Sequence, residues 1–208
     1  YLKNPALQQT HKDQIELLLG AQIFDTDDFT FKKLFDLHAF NFGDQINTIS
    51  TQAANEQTLS DMLAKVKSDI ESLQFAVSPF KGIKNSFVLG GFEEIFLVIE
   101  NSITIISSIR SSHYISQFRK EADDWIRSLR QFNSTLESLE RCQTNWTFIV
   151  NILSNSDIAR TLSDEVKEMS AIDKIWRNIT NKINDDPSAF NICSLSPTFS
   201  DLDGANEV

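Results

Sequence analysis

The sequence predicts an all-α fold: an elongated antiparallel helical bundle with long helices and one small β-hairpin insertion. Three observations carry this. The 208 residues hold only 6 Gly and 4 Pro, too few for the turns of a β-sandwich or a doubly wound sheet. Apolar residues recur at helical spacing over stretches far longer than a strand. One stretch alone, 74–90, replaces that spacing with alternation and turn residues. At 41% hydrophobic content the chain has enough apolar side chains to bury a core.

Two short amphipathic pieces come first. "KDQIELLLG" predicts a helix over 12–20 closed by Gly20, and "FTFKKLFDL" one over 30–38, entered from the acidic "DTDD". A long pattern over 44–74 offers Ile46, Ile49, Ala53, Leu59, Leu63, Val66, Ile70 and Leu73 as its buried face. Its phase slips near Glu56, which marks a kink there. In "LQFAVSPFKGIKNSFVLGG", Phe75 and Val77 alternate with polar residues, Pro79 and Gly82 punctuate a loop, and Phe87, Val88 and Leu89 resume before Gly90 and Gly91. This is the hairpin.

The next helix, 92–111, places Phe92, Ile95, Ile99, Ile103, Ile106 and Ile109 on one face. Glu93, Glu94, Glu100 and Asn101 interrupt it, so it falls short of the ~20 apolar residues of a bilayer span. From 118 to 154 the period sharpens to seven. Phe118, Trp125, Phe132, Leu139, Trp146 and Leu153 fill one slot; Ala122, Leu129, Leu136 and Val150 fill the second, which Gln143 alone breaks. A helix of that length spans about 54 Å at ~1.5 Å per residue. The last helix, 163–184, takes Ser163 as its cap, Asp164 and Glu165 in its first turn, and Val166, Met169, Ile172, Trp176, Ile179 and Ile183 as its stripe.

The formal charge of −10 argues against nucleic-acid and anionic-membrane partners. Cys142 and Cys193 form no C-x-x-C, which gives neither a zinc site nor a disulfide framework and fits a reducing compartment. His11, His38 and His113 lie in separate segments without metal-ligand spacing. No GxxxxGK[ST] or GxGxxG occurs, and "DTDDF" lacks the Gly and distal Glu of a calcium loop. The acidic pairs read as solvated helix ends. The sequence therefore predicts no catalytic, cofactor-binding or metal site, and with no initiator Met or leader pattern the chain is expected to start inside a longer protein.

The stretch from "FRKEADDWIRSLR" to "NDDPSAF" resembles the linker region of dynein heavy chains. That family has a long helix with an early Trp, a W-L-Y-L-E-P-I-F-S-S-x-D-I pattern, then V-D-K-x-W-R-x-I-M and an Asp-Pro. The matching positions are Trp125, then Trp146, Phe148, Ile149, Ile152, Leu153, Ser154, Asp157 and Ile158, then Ile172, Asp173, Lys174, Trp176, Arg177 and Ile179, then Asp186 and Pro187. Upstream, "LQFAVSPFKG" and "FVLGGFEEI" resemble the family's two hairpin strands, so the likeness runs over roughly residues 8–204. His11-Lys12 replaces the family's H-W, Ile70 its next Trp, Val150-Asn151 its Glu-Pro, and Ile172 the Val of V-D-K.

The resemblance implies a single fragment, 1–208, of a linker domain N-terminal to the AAA+ motor ring. The implied role is mechanical and non-catalytic: to transmit ATP-driven changes of the ring, with ATP and Mg²⁺ bound in the parent chain's ring and no cofactor in this fragment. Implied partners are the AAA+ ring of its own chain and, through the parent, other dynein chains and microtubules, with no nucleic acid and no membrane. The implied location is cytoplasm and cytoskeleton, including the axoneme of a cilium or flagellum. Hinges are expected at 111–116 and 154–163, where helices are interrupted. Without the resemblance, the same helices would suit a cytosolic scaffold or tethering protein of spectrin-like type, but no internal repeat near ~100 residues occurs.

Overall fold

The computed structural model describes residues 1–26, 29–153, 165–194 and 202, with only the backbone described at 152, 153 and 165–169. The fold class is the expected one: helices dominate, and the described residues hold one two-stranded antiparallel sheet. Two compact units make it up, Tyr1–Ala64 with Ile109–Arg119, and Lys65–Ser108 with Lys120–Val208. Among the described residues no helix is long and apolar enough to cross a membrane.

The first unit begins with α1 (Gln9–Leu19), whose N-terminus is closed by a reciprocal box between Gln8 and His11. Gly20 ends it in the left-handed conformation, φ +68°, and its N–H returns to the carbonyls of Glu16 and Leu17. The Glu16 carboxylate then accepts the N–H groups of Ile23 and Phe24, both at 2.8 Å, and so fixes the loop that follows. α2 (Phe31–Asp36) is shorter than the expected 30–38; Thr30 caps it and a 3₁₀ turn, Ala39–Phe42, follows. Ile15, Leu19, Ile23, Ala39 and Ile46 form the core of this part.

α3 (Gly43–Glu71) continues as one α-helix through Glu56, where the sequence suggests a kink. The slip arises from treating Glu56 as an outward residue. In the structure the buried stripe of this unit is Ile46, Ser50, Ala53, Glu56, Leu59 and Leu63, and Glu56 is 5% exposed. Steps of three and four then run without a break. A buried carboxylate is tolerated only when its lone pairs are met. Oε1 accepts from Gln52 Nε2 at 2.8 Å, and Oε2 faces His11 Nε2 at 3.2 Å and accepts from Gln117 Nε2. His11 Nδ1 accepts the Gln8 N–H at 3.3 Å, which assigns the ring proton to Nε2, facing Glu56.

In the second unit, β1 (Ala76–Pro79) pairs antiparallel with β2 (Phe87–Gly90) in the register Ala76 to Gly90 through Pro79 to Phe87. The hairpin is thus narrower than the 74–90 expected for it. α4 (Phe92–Arg110) buries Phe92, Ile95, Ile99 and Ile106 there, while Ser102 takes the inner position expected of its half-buried neighbour Ile103. α5 (Arg119–Leu153) is 35 residues long. Its buried stripe is Ala122, Ile126, Leu129, Phe132, Leu136, Leu139, Cys142, Trp146 and Val150. Trp125 is only half-buried, a departure from the expected stripe that moves the inner position to Ile126. α6 (Glu165–Asp185) buries Ile172, Trp176, Ile179 and Ile183. Ser163 and Asp164, expected to start that helix, lie outside the described residues. A further short helix, α7 (Ala189–Cys193), was not expected; Ser188 caps it by accepting the Asn191 N–H.

Candidate functional site

Three elements of the second unit meet at the hairpin: α5, α6 and β2 with the loop before it. The helical stripes bring Trp146 and Trp176 into the core at 0% exposure, with ring centroids 5.6 Å apart and planes at 29°. A buried indole needs an acceptor for its N–H. Trp146 Nε1 donates to Asp173 Oδ1 at 2.9 Å, and Trp176 Nε1 donates to the Phe87 carbonyl at 3.1 Å. Phe80, in the hairpin loop, sets its edge against Trp146 at 5.0 Å and 68°.

Asp173 and Arg177 are four apart on α6, so they face each other along the helix, in the favourable order of acid before base. Arg177 Nε donates to Asp173 Oδ2 at 2.7 Å, and Nη1 donates to the Lys84 carbonyl at 3.0 Å. One carboxylate therefore joins α5, through Trp146, to an arginine that holds the hairpin loop. Gln143 completes the site. Its Nε2 donates to the Leu89 carbonyl at 2.9 Å and its Oε1 accepts the Leu89 N–H at 2.6 Å. Leu89 pairs with Val77 in the sheet, so the side-chain amide covers the other edge of β2 as a neighbouring strand would.

The other end of the hairpin is fastened to the chain after α6. The Phe75 N–H donates to the Pro187 carbonyl and the Ala189 N–H to the Leu73 carbonyl, both at 2.9 Å, with a bridge between Gln74 and Ser188. This holds α7, where Phe190 lies 5.8 Å from Trp125 at 25° and 5.6 Å from Phe132 at 75°.

Of the residues marked by the sequence, the structure thus brings Trp146, Asp173, Trp176 and Arg177 into one cluster. Trp125 and Pro187 belong to a second contact region around α7. Lys174 is exposed and joins neither. Ser154, Asp157 and Ile158 lie outside the described residues. Sequence reading missed Gln143, Phe80 and Phe190. The signal for Gln143 was present, a lone amide in an apolar slot, but it looked like a defect in the stripe. Among the described residues no group of three His, Cys, Asp or Glu side chains could hold a metal ion. Directional bonds between helices and strand hold geometry, and that is the chemistry this arrangement offers.

The family model "Dynein heavy chain, N-terminal region 2" matches residues 1–207. The chain belongs to the dynein heavy chain family. It is 34% identical over 189 residues to human dynein axonemal heavy chain 6, covering 90% of this chain and 4% of that protein. Similarity extends to human dynein axonemal heavy chain 8, at 26% over 97% of the chain, and human dynein axonemal heavy chain 2, at 27% over 90%; the chain spans 4% of the length of each. Its ties between hairpin and helices are therefore features of the N-terminal region of a dynein heavy chain.

Proposed function

We propose that the chain is a non-catalytic mechanical linker segment of an axonemal dynein heavy chain, carrying ATP-driven shape changes of the AAA+ ring into microtubule-based motility. The observation that carries this reading is the Trp146–Asp173–Arg177 network with the Gln143 clamp. A lever is useful only if its parts move together, and here a 35-residue helix, a second helix and a hairpin are joined by directional bonds as well as by apolar packing. A stripe of apolar contacts alone lets helices slide by a turn. The bonds to Lys84, Phe87 and Leu89 set one register.

In this reading ATP and Mg²⁺ act in the ring of the parent chain, which is a motor ATPase. The partners are that ring, other dynein chains and microtubules, without nucleic acid or membrane. The location is the cytoskeleton of the axoneme, in keeping with the names of the relatives. Bending is assigned to the turn at 111–116; the other expected hinge, 154–163, lies outside the described residues. The spectrin-like alternative has no supporting observation once the family is known.

The test is Asp173→Ala in the parent heavy chain. Microtubule gliding velocity should fall several-fold while microtubule-stimulated ATPase stays above half of normal, because the ring still turns over but its stroke is absorbed. Unchanged gliding, or velocity and ATPase falling in parallel, refutes the reading.

A further inference from the structure

The first unit buries a titratable group that the lever reading does not use. His11 is 2% exposed, and both of its ring nitrogens are engaged. Nδ1 accepts the Gln8 N–H at 3.3 Å and closes the box at the start of α1. Nε2 faces Glu56 Oε2 on α3 at 3.2 Å, and the same carboxylate accepts from Gln52 and Gln117. That pattern fits one protonation state, the neutral ring with its proton on Nε2.

Imidazole is the side chain that changes charge across neutral pH. A second proton can go only to Nδ1, where it meets the Gln8 N–H donor against donor. The two sides of the ring then respond in opposite directions. Toward α3 the neutral hydrogen bond becomes a charge-assisted one to Glu56, the stronger of the two. Toward Gln8 the acceptor is gone, and a cation in the first turn of α1 also opposes the helix dipole. Gln8 is exposed, so its N–H turns to water at little cost.

Among the described residues Glu56 is the one charged group bonded to the ring. On α1, Lys12 pairs with Asp25 at 3.1 Å, Asp13 is exposed, and Glu16 is taken up by the N–H groups of Ile23 and Phe24. Asp44 and Asp61 on α3, Lys3 before α1, and Arg110, His113 and Arg119 beside Gln117 are all exposed. We propose that His11 is a proton-operated catch: neutral, it closes the N-terminus of α1; protonated, it releases Gln8 and holds α3 through Glu56. The catch does not depend on the lever reading.

The experiment is hydrogen exchange on the parent heavy chain at pH 8 and pH 6, read at single residues and corrected for the intrinsic pH dependence of amide exchange. Protection at the Gln8 amide should fall about threefold or more at pH 6, while the amides of residues 53–59 on α3 keep theirs. His11→Gln retains a side chain that closes such a box but takes no proton, so protection at Gln8 should be equal at the two pH values. Glu56→Gln removes the anion that favours the protonated ring, and should cut the response at Gln8 to about half or less. No response at Gln8, a response that survives in His11→Gln, one undiminished in Glu56→Gln, or a loss of protection shared by residues 53–59 each overturns the proposal.

Discussion

Replacing Gln143 with Leu separates two accounts of α5 that give opposite signs. By heptad pattern alone Leu repairs the second slot and stabilises the helix pairing. In the structure it removes both bonds to Leu89, a residue 5% exposed, whose N–H and carbonyl face no other strand on that edge among the described residues. Each buried backbone group left without a partner costs about 1–3 kcal/mol. Position 143 is only half-buried, so the added apolar contact returns at most about 1.5 kcal/mol. The net expectation is a loss of about 2 kcal/mol, roughly a thirtyfold change in the folding equilibrium. Urea unfolding followed by tryptophan emission reads the right region, because Trp125, Trp146 and Trp176 all lie in the second unit. Hydrogen exchange at the Leu89 amide should accelerate in parallel. A midpoint equal to or above that of the parent sequence, with Leu89 still protected, would refute the clamp.

Glu56→Ala leaves the buried His11 Nε2–H without its acceptor and should destabilise the first unit by about 3 kcal/mol; Glu56→Gln should cost less because it keeps the shape and one acceptor. Far-UV circular dichroism during denaturation checks this, since the first unit has no Trp, and equal costs for the two variants would contradict it. Ser86 is buried with no partner for its hydroxyl among the described residues, so Ser86→Ala should be neutral or stabilising by up to about 1 kcal/mol, measured by the shift in urea midpoint. Burial raises the Cys142 thiol from 9.0 to about 11 and Cys193 to about 12. Both thiols should resist iodoacetamide at pH 8 until the chain unfolds. Their folded pKa values lie above the unfolded ones, so the stability they contribute is complete below pH ~9 and is lost as pH rises toward 11–12. A Cys142→Ala, Cys193→Ala chain should show a flatter stability profile over that range.

Much of this fold is legible because a helix repeats its message. Each buried position of α5 is restated within a turn, so one misread residue such as Trp125 shifts the stripe locally and leaves the element intact. The hairpin is legible from Pro79, Gly82 and the Gly90–Gly91 pair, which permit few alternatives. What the sequence hides is pairing at a distance. Gln143 and Leu89 are 54 residues apart, Trp176 and Phe87 are 89 apart, and Arg177 and Lys84 are 93 apart. The acceptors at Lys84, Phe87 and Leu89 are backbone carbonyls, so their side chains carry no trace of the contact. Trp146 and Trp176 are visible as core residues, but that their N–H groups need acceptors says nothing about which acceptors.

The polar residues that interrupt apolar stripes deserve a physical reading of their own. Apolar surfaces attract without direction, so two striped helices gain similar energy in registers one turn apart. A buried amide or carboxylate with directional partners gains its bonds in one register and loses them in the others, where it is left unsatisfied. Glu56 does this in the first unit with Gln52, His11 and Gln117, and Gln143 and Asp173 do it in the second. Where the partners are also side chains, as around Glu56, such groups add little net stability relative to an apolar core of the same shape, since their desolvation offsets most of the bonding. What they supply is a large penalty for slipping, and under the proposed lever role that penalty matters more than additional stability.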